Sequence, residues 1–275
     1  MNYFGLDSFL LNALQEDIGT GDITTNSCVP EMGFSHGQLI AKEDGIVCGI
    51  DVLTRVFQLV DPTTKVLTTH RDGDRVSKVY IIAKVEGRSR SVLSGERVAL
   101  NLIQHMSGIA TQTSEAVARV AGTNAKIVDT RKTLPGMRNL EKYAVKVGGG
   151  YNHRFSLADG VLIKDNHIVA AGGITKTIEL VRKNVPHTLK VEIETETMQQ
   201  VQEAVDAGAD IIMLDNMTTE QMTEAVKLIN GRALTEASGN MDKRDLAEVA
   251  ATGVDFISIG ALTHTAKALD ISLKF

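Results

Sequence analysis

The sequence predicts an α/β protein in which a small N-terminal α/β sandwich lobe precedes an incomplete α/β barrel. In the C-terminal part, six short and nearly continuous apolar stretches alternate with amphipathic helical patterns, which is typical of a parallel sheet covered by helices. In the N-terminal part, β-type runs and helical segments are mixed without that regular alternation. A complete barrel of this architecture normally has eight strands, so six strands indicate an open one.

The six predicted strands of the barrel each end in a polar residue. They cover residues 126–130, 160–164, 190–194, 209–215, 233–237 and 255–260, and their polar ends are Arg131, Lys164, Glu194, Asp215, Glu236 with Ser238, and Ser258. In a barrel, the carboxyl ends of the strands share one rim, and active sites lie on that rim. An open doubly wound sheet would also collect a ligand at its strand ends. In both architectures these side chains form the candidate site.

The N-terminal lobe is predicted to contain helices and β-type runs joined by turns. Apolar spacing predicts helices over residues 6–17 and 51–60, and β-type runs over residues 38–42 and 79–85. The Gly-rich segment 19–22 lacks the spacing of known phosphate-binding loops, which favours a plain loop over a ligand site. We place the lobe boundary within residues 108–115, which gives a lobe of residues 1–110 and a barrel of residues 111–266.

Arg97 has an unusual position near the predicted start of a helix. Ser94 is a good N-cap, and apolar residues recurring from Val98 onward predict the helix behind it. Arg97 then stands three residues after the cap, where a capping box has Glu or Gln, and its charge opposes the helix dipole. Two interpretations are open: a misplaced surface arginine, or an arginine held there to bind an anion.

Residues 129–167 are rich in basic side chains, although the formal net charge of the chain is -5. An exposed, solvated face is the ordinary explanation of such a cluster. We nevertheless assign Arg131, Arg154 and Lys164 to a site, because each follows or ends an apolar strand or a turn. Lys142 and Lys146 instead show the i, i+4 spacing of a helix face, which predicts that both are exposed.

Composition excludes several classes of function. A net charge of -5, a pI near 5.8 and 4% aromatic residues argue against a nucleic-acid partner, since neither a basic surface nor a stacking platform is available. Cys28 and Cys48 form no metal-binding spacing, and we expect two reduced thiols. The absence of a basic leader and of an apolar run of membrane length predicts a soluble, cytoplasmic protein without a membrane partner.

The strand ends also carry two carboxylates and two loops of small residues. Glu194 and Asp215 offer oxygen ligands suited to a hydrated Mg²⁺ or a ribose diol, and the alternative is that they only form salt bridges with the neighbouring cations. Residues 236–240 and 258–262 follow the last two strands, and each opens a helix. Backbone N–H groups in such loops can bind a phosphate, as barrels often do at this position.

One rim therefore combines a phosphate site, two carboxylates and a group of cations, which suits transfer of a phosphorylated sugar to an anionic acceptor. At this level of detail the chain resembles the quinolinate phosphoribosyltransferase family over nearly its whole length. The resemblance is carried by DTRKTLPGMR, KVGGGYNHRFSLADGVLIKDNH, KVEIETET, MLDNM, EASGN and DFISIGALTH, together with EDIGTGDIT and GERVALNLIQHMSGIAT in the N-terminal part.

The resemblance implies a fold and a reaction. The fold is an N-terminal α/β sandwich lobe with an open α/β barrel of the type II phosphoribosyltransferase kind, and a C-terminal tail, residues 267–275, that returns to the first lobe. The reaction is that of quinolinate with phosphoribosyl pyrophosphate, giving nicotinate mononucleotide, pyrophosphate and CO₂ with Mg²⁺, a step of NAD biosynthesis. The expected assembly is a homodimer with shared active sites, or a larger assembly built from it.

The family pattern also implies roles for individual residues, and we group them by substrate. The quinolinate-site cations are Arg131, Lys132, His153 and Arg154, with Arg97 reaching in from a partner subunit. The ribosyl pyrophosphate residues are Lys164, Glu194 and Asp215, of which the two acids bind Mg²⁺ directly or through water; the phosphate loops are Ser238, Gly239 and Asn240, and Ser258, Ile259, Gly260 and Ala261. Some members have Gly where this chain has Asn240, and a side chain there could crowd the phosphate.

Two other functions fit parts of this pattern. A phosphoribosyltransferase acting on another aromatic acid, such as nicotinate, would keep the phosphate and ribose sites but needs fewer cations for its single carboxylate. From a different class, Lys164 on a barrel strand could form a Schiff base in an aldolase-type lyase. A non-catalytic binding barrel has no reason to gather charges of both signs on one rim.

Overall fold

The structure is a computed structural model that describes residues 5–275. By their internal contacts, these residues divide into two compact units. The first contains the chain up to Ser114, Leu134–Gly149 and Thr265–Phe275, and the second contains Glu115–Thr133 and Gly150–His264. The division near residue 114 lies within the boundary region drawn from the sequence. The assignment of 134–149 to the first unit differs from the predicted ranges.

The first unit is built on a four-stranded antiparallel sheet with the strand order β12-β1-β5-β3. Its elements are α1 (Leu6–Ile18), α2 (Ile23–Cys28), β1 (Phe34–Ala41), β2 (Gly45–Ile46), α3 (Ile50–Val60), β3 (Lys65–Thr68), β4 (Arg75–Val76), β5 (Ile81–Arg88), α4 (Ser89–Arg119), α5 (Arg138–Val147) and β12 (Ile271–Lys274). The C-terminal strand pairs with β1, with Leu39 opposite Leu273, as the resemblance implied. Asp22 caps α2 by accepting a hydrogen bond from Thr25 N, so the Gly-rich segment before it is a capping loop.

The predicted helix start at Ser94 is wrong. Helix α4 begins at Ser89, directly after β5, so Arg97 lies well inside the helix and not in its first turn. The side chain of Arg97 is exposed, and its supposed conflict with the dipole of its own helix disappears, because that effect is confined to the terminal turn. Ser94 instead donates a hydrogen bond from Oγ to Asp22 Oδ2.

The prediction that Lys142 is exposed is also wrong. Lys142 and its neighbour Glu141 in α5 are both fully buried, whereas Lys146 is exposed as predicted. Glu141 accepts hydrogen bonds from His105 Nε2 at 2.9 Å and Leu134 N at 3.1 Å. Spacing of i, i+4 identifies a shared helix face, but it does not determine whether that face meets solvent.

The second unit is a six-stranded parallel sheet with helices between its strands, which confirms the predicted strand–helix alternation. Its elements are β6 (Lys126–Val128), β7 (Val161–Ile163), α6 (Asp165–Ala171), α7 (Ile174–Asn184), β8 (Val191–Thr195), α8 (Met198–Asp206), β9 (Ile211–Asp215), α9 (Thr219–Ile229), β10 (Leu234–Ser238), a 3₁₀ turn (Met241–Lys243), α10 (Leu246–Ala251), β11 (Phe256–Ser258) and α11 (Ala261–His264). The strand order is β6-β11-β10-β9-β8-β7, so β6 and β7 are the two edges of an open sheet. Thr197 and Thr218 cap α8 and α9 in capping boxes.

Strand alternation determines which side chains of the second unit face the helices. Ile193, Ile212, Leu214 and Ile257 are completely buried or nearly so. The other face carries polar side chains on β8, β9, β10 and β11, and residues from all six strands or their ends surround one cavity. The sheet is therefore curled around that cavity, as in an open barrel.

The cysteines and the lengths of the helices in residues 5–275 bear on two expectations from the sequence. Both cysteines are free thiols, and burial raises the pKa of Cys48, which makes this thiol unreactive. Every helix of this region is too short or too polar to span a lipid bilayer.

Candidate active site

The candidate site is a cavity of about 460 Å³ at the carboxyl ends of the strands in the second unit. It contains nine of the polar site residues predicted from the sequence, together with several that were not assigned to a substrate. Its lining residues are Thr130, Arg131, Lys132, His153, Arg154, Leu162, Lys164, Glu194, Met213, Asp215, Glu236, Ser238 and Ser258. The structure thus brings the predicted cations and carboxylates together around one space.

A buried aspartate holds the loop that carries His153 and Arg154. Asp129 is fully buried at the end of β6, and its carboxylate accepts hydrogen bonds from Asn152 Nδ2 at 2.6 Å and His153 N at 2.9 Å. Arg154 Nη1 donates to Gly160 O at 2.9 Å, which fixes the guanidinium from the other side. The positions of these cations are therefore set by the backbone and by a buried charge.

Arg131 is close enough to Arg154 to disfavour the charge of Arg154. Burial is the main cause that lowers the pKa of Arg154, and repulsion by Arg131 adds to it. Glu192 and Asp159 act in the opposite direction. Two guanidinium groups held together in a partly dehydrated cavity favour an anion with two carboxylates.

Lys132 is placed by the loop that follows β11. Thr263 Oγ1 donates a hydrogen bond to Lys132 O at 2.7 Å. A Cβ atom on Gly260 would lie 2.9 Å from Lys132 Cδ, so the lysine side chain passes directly over this glycine. The loop predicted to bind phosphate thus also supports a cation of the site.

Lys164 and Glu194 form an ion pair across two neighbouring strands. Lys164 Nζ lies 3.1 Å from Glu194 Oε2, and Lys164 N donates to His167 Nδ1 at 2.9 Å. Asp215, at the end of the next strand, accepts a hydrogen bond from Asn216 Nδ2 at 2.6 Å. The second oxygen of each carboxylate has no hydrogen-bond donor within residues 5–275, which leaves two hard oxygen atoms for a ligand.

The loop after β10 explains how this chain accommodates Asn240. Gly239 has φ +95°, and a Cβ atom there would overlap Asn216, so glycine is required. Asn240 has φ +51°, a left-handed conformation that asparagine tolerates better than other non-glycine residues. Its Nδ2 lies 3.4 Å from Asn216 Oδ1, a contact that ties the exposed side chain to the neighbouring loop.

The loop after β11 is more enclosed than its predicted role suggests. Ser258, Ile259 and Ala261 are buried, and Ser258 Oγ donates to Ala237 O at 3.3 Å. Ile259 N donates to Val128 O at 3.0 Å, so this N–H group already has an acceptor.

Arg97 belongs to the first unit and does not line the cavity.

A buried acidic pair below His153 was missed by sequence reasoning. His153 Nε2 lies 3.1 Å from Glu192 Oε2 and 3.7 Å from Glu236 Oε2, and both acids are nearly inaccessible to solvent. His153 Nδ1 accepts a hydrogen bond from Arg154 N at 2.8 Å, so in this arrangement the ring proton is on Nε2. The sequence held one signal for this pair. Residues two apart on a strand point to the same face, so Glu192 lies on the face of Glu194, and Glu236 on the face of Ser238.

Burial and the nearby Glu192 carboxylate raise the pKa of Glu236 to about 8. The ring of His153 and a hydrogen bond from Ser258 oppose this rise. The raised pKa favours the neutral form of the Glu236 carboxyl beside Glu192.

Comparison with known proteins gives the same family along the whole chain. The model of the quinolinate phosphoribosyl transferase C-terminal domain matches residues 109–274, and that of the N-terminal domain matches residues 22–107. A Bacillus subtilis protein described as a probable nicotinate-nucleotide pyrophosphorylase (carboxylating) is 45% identical over 273 residues, covering 99% of this chain and 94% of the relative.

Two further relatives extend the comparison. Quinolinate phosphoribosyltransferase (decarboxylating) 1 of Nicotiana glauca is 44% identical over 290 residues, covering 98% of this chain and 82% of its own. A crystal structure of NadC from Streptococcus pyogenes superposes with a TM-score of 0.96 at 43% identity, covering all of this chain and 97% of that one. Fold and sequence similarity thus coincide over both units.

Proposed function

The chain belongs to the quinolinate phosphoribosyltransferase family, and we propose that it transfers the phosphoribosyl group of phosphoribosyl pyrophosphate to quinolinate. The products are nicotinate mononucleotide, pyrophosphate and CO₂, which makes the reaction a step of NAD biosynthesis. The observation that carries this proposal is the single cavity shared by Arg131, Arg154, Lys164, Glu194 and Asp215. This set offers cations for a dicarboxylate and carboxylates for a phosphorylated sugar.

Quinolinate carries two adjacent carboxylates, one of which is next to the ring nitrogen. Arg131 and Arg154 can each pair with a carboxylate through two parallel N–H donors, and Lys132 adds a third cation at the cavity wall. Such pairing orients the ring so that its nitrogen faces the anomeric carbon of the sugar. The ring nitrogen has a free lone pair, so the chain needs no general base for this attack.

The other end of the cavity suits the sugar and the leaving pyrophosphate. Positive charge develops on the ribose ring as the bond to pyrophosphate breaks, and the carboxylates of Glu194 and Asp215 stabilise that charge. Lys164 stabilises the departing pyrophosphate, while Glu194 keeps the lysine ammonium in place. Transfer leaves a positively charged pyridine ring, which accepts the electron pair when the adjacent carboxylate departs as CO₂.

Mg²⁺ is the cofactor that we propose for this reaction. The two carboxylate oxygens left without a hydrogen-bond donor, one each on Glu194 and Asp215, are hard ligands of the type Mg²⁺ prefers, so the residues fit the ion. When bound, Mg²⁺ neutralises charge on the pyrophosphate group. Glu194 and Asp215 hold it directly or through water, and Ser238 and Ser258 lie at the phosphate side of the same cavity.

We also propose a homodimer with shared active sites and a cytoplasmic location. Support for the dimer is the family resemblance together with the exposed position of Arg97 on α4, where it is accessible to a partner subunit. A larger assembly could be built from such dimers. Sedimentation and cell fractionation test these two points.

The alternative functions have less support. A Schiff-base lysine must attack a carbonyl carbon with its free amine, whereas Lys164 Nζ is paired with Glu194 Oε2 at 3.1 Å. Nicotinate has a single carboxylate, so an enzyme that uses it would have one more guanidinium group in this cavity than its substrate can pair with.

A steady-state assay with quinolinate and with nicotinate tests the proposal. Purified protein is supplied with phosphoribosyl pyrophosphate and Mg²⁺, and pyrophosphate and CO₂ are measured in parallel. We expect equal amounts of the two products with quinolinate and neither with nicotinate. Pyrophosphate without CO₂, or turnover of nicotinate alone, would contradict the proposed reaction.

A further inference from the structure

Two cavities of the second unit share three side chains. Besides the cavity at the carboxyl ends of the strands, a second cavity of about 370 Å³ lies at their amino ends, where Ile211 and Phe256 begin β9 and β11. His153, Arg154 and Glu236 line both cavities. Glu236 therefore stands between the proposed substrate cavity and a space reached from the opposite end of the strands.

Glu236 has the surroundings of a carboxyl group that retains a proton. Only 3% of Glu236 and 4% of Glu192 are exposed, and within residues 5–275 the Oε1 atom of each has no hydrogen-bond partner. His153 supplies a hydrogen bond from Nε2 to this pair, because its Nδ1 already accepts the N–H of Arg154. Two nearly inaccessible carboxylates that share the His153 N–H group repel each other's charge, and this arrangement favours a proton on one of them.

A metal ion is the other way to neutralise such a pair. One ligand atom each of His153, Glu192 and Glu236 lies within 4.8 Å of the others. Binding through His153 Nε2 would need that nitrogen free of hydrogen, whereas the hydrogen bond accepted by Nδ1 places the ring proton on Nε2. The geometry therefore favours a proton over a cation.

The proposed reaction requires a proton at a defined atom. When the bond between the ring carbon C2 and its carboxylate breaks, the electron pair stays on C2 and recombines with CO₂ unless a proton captures it. Nicotinate mononucleotide has hydrogen at this carbon, so C2 must receive one proton in each turnover. Arg131, Arg154, Lys132 and Lys164 are already assigned to the binding of the substrate anions.

We propose that the carboxyl group of Glu236 donates the proton that replaces CO₂ at C2, and that water in the second cavity restores it. In this step the Glu236 O–H bond breaks, its electron pair stays on the carboxylate, and the proton forms the new C–H bond. A neutral Glu236 also allows a dicarboxylate to approach, whereas a charged pair would repel it. The proposal rests on the proposed function.

The variant Glu236→Gln separates proton transfer from binding, because the amide keeps the size and polarity of the neutral acid but does not donate a proton to carbon. In single turnovers we expect pyrophosphate release within about threefold of wild type, CO₂ release slowed about tenfold or more, and quinolinate mononucleotide accumulating. Glu236→Asp, which restores an acid, should recover part of the CO₂ release. Glu224→Gln removes an exposed carboxylate of α9 and serves as the matched control.

Each outcome decides between the hypotheses. Wild-type release of CO₂ by Glu236→Gln overturns the proton-donor proposal and leaves the proposed function intact, whereas wild-type protein that forms neither product contradicts the function itself. A stoichiometric metal ion in wild type that is lost in Glu236→Gln also overturns the proposal. If the variant does not fold, wild type is compared in H₂O and D₂O: the proposal requires an isotope effect on CO₂ release that exceeds the effect on pyrophosphate release.

Discussion

Lys164 Nζ lies 3.1 Å from Glu194 Oε2, so the cation that follows β7 is paired with the carboxylate at the end of the adjacent strand β8. The lysine side chain is 51% exposed, while that of Glu194 is only 14% exposed. A pair that solvent reaches this easily contributes at most about 1 kcal/mol to folding. Its lysine is therefore available to a substrate anion entering the cavity.

Lys164→Ala is expected to lower kcat for the complete reaction about 100-fold or more, because the variant lacks a cation facing the leaving pyrophosphate. Its free energy of unfolding should change by less than about 1 kcal/mol. Steady-state kinetics and denaturant unfolding measure the two effects. The control is Lys176→Ala on the exposed face of α7; a parallel loss of activity and stability in Lys164→Ala would assign the pair to folding.

Replacement of Arg131 or Arg154 by Ala should reduce kcat/KM for quinolinate by roughly 2 to 4 kcal/mol, through loss of a charge-assisted contact to a carboxylate. KM for phosphoribosyl pyrophosphate should stay within about threefold of wild type, since that substrate occupies the other end of the cavity. Lys146→Ala, on the exposed face of α5, is the control for loss of a cation. Near-normal turnover of quinolinate by both arginine variants would exclude this quinolinate site.

Asp215→Asn keeps the shape of the side chain and removes its charge, so the variant should need more Mg²⁺ for half-maximal activity. We expect an increase of about tenfold in that concentration, because a carboxylate ligand is worth more than an amide to a hard cation. A Mg²⁺ titration of activity measures it, with Asp242→Asn in the exposed 3₁₀ turn as the matched control. An unchanged titration would leave Asp215 as a salt-bridge or hydrogen-bond partner only.

Periodicity was sufficient to find the sheet of the second unit, because its strands are short apolar runs bounded by polar residues. All six predicted strands are present, with ends displaced by a few residues. The start of α4 was missed because Ser94 and Gly95 resemble a helix boundary. Gly95 is instead buried inside the helix, where a Cβ atom would lie 3.2 Å from Phe57 Cδ1, so this glycine permits close packing.

Burial of charged residues is the property that the sequence did not reveal. Lys142 and Glu192 have ordinary local patterns, and only the tertiary structure shows that both are buried. Strand alternation places Glu192 on the same face as Glu194. It does not show that Glu194 at the rim meets solvent while Glu192, two residues earlier on the strand, is enclosed. The acidic pair with Glu236 therefore required three-dimensional structure to be recognised.

If the active sites are shared in a dimer, Arg97 of one subunit serves the site of its partner. Arg97→Ala and Lys164→Ala should each be nearly inactive, whereas a mixture that exchanges subunits should recover about a quarter of wild-type activity. About half of the dimers are then mixed, and each mixed dimer has one site without either substitution. Activity measured before and after exchange tests this, with mass spectrometry confirming mixed dimers. Background activity in confirmed mixed dimers would mean that Arg97 acts within its own chain or not at all.

Gly260 supports the site through the space that it leaves for Lys132. A Cβ atom at residue 260 would lie 2.9 Å from Lys132 Cδ, and Lys132 is an exposed, flexible side chain that can move away. Gly260→Ala should therefore fold normally but displace the lysine ammonium, lowering kcat/KM for quinolinate about tenfold, less than the complete loss of a charge-assisted contact.

A double-mutant cycle tests whether that effect passes through Lys132. If it does, Gly260→Ala should have almost no further effect in a Lys132→Ala background, because the displaced side chain is already absent. Additive losses in the double variant would instead show that residue 260 acts on the phosphate loop itself. The two outcomes differ by about 1.4 kcal/mol in the coupling energy, which corresponds to the predicted tenfold change in kcat/KM.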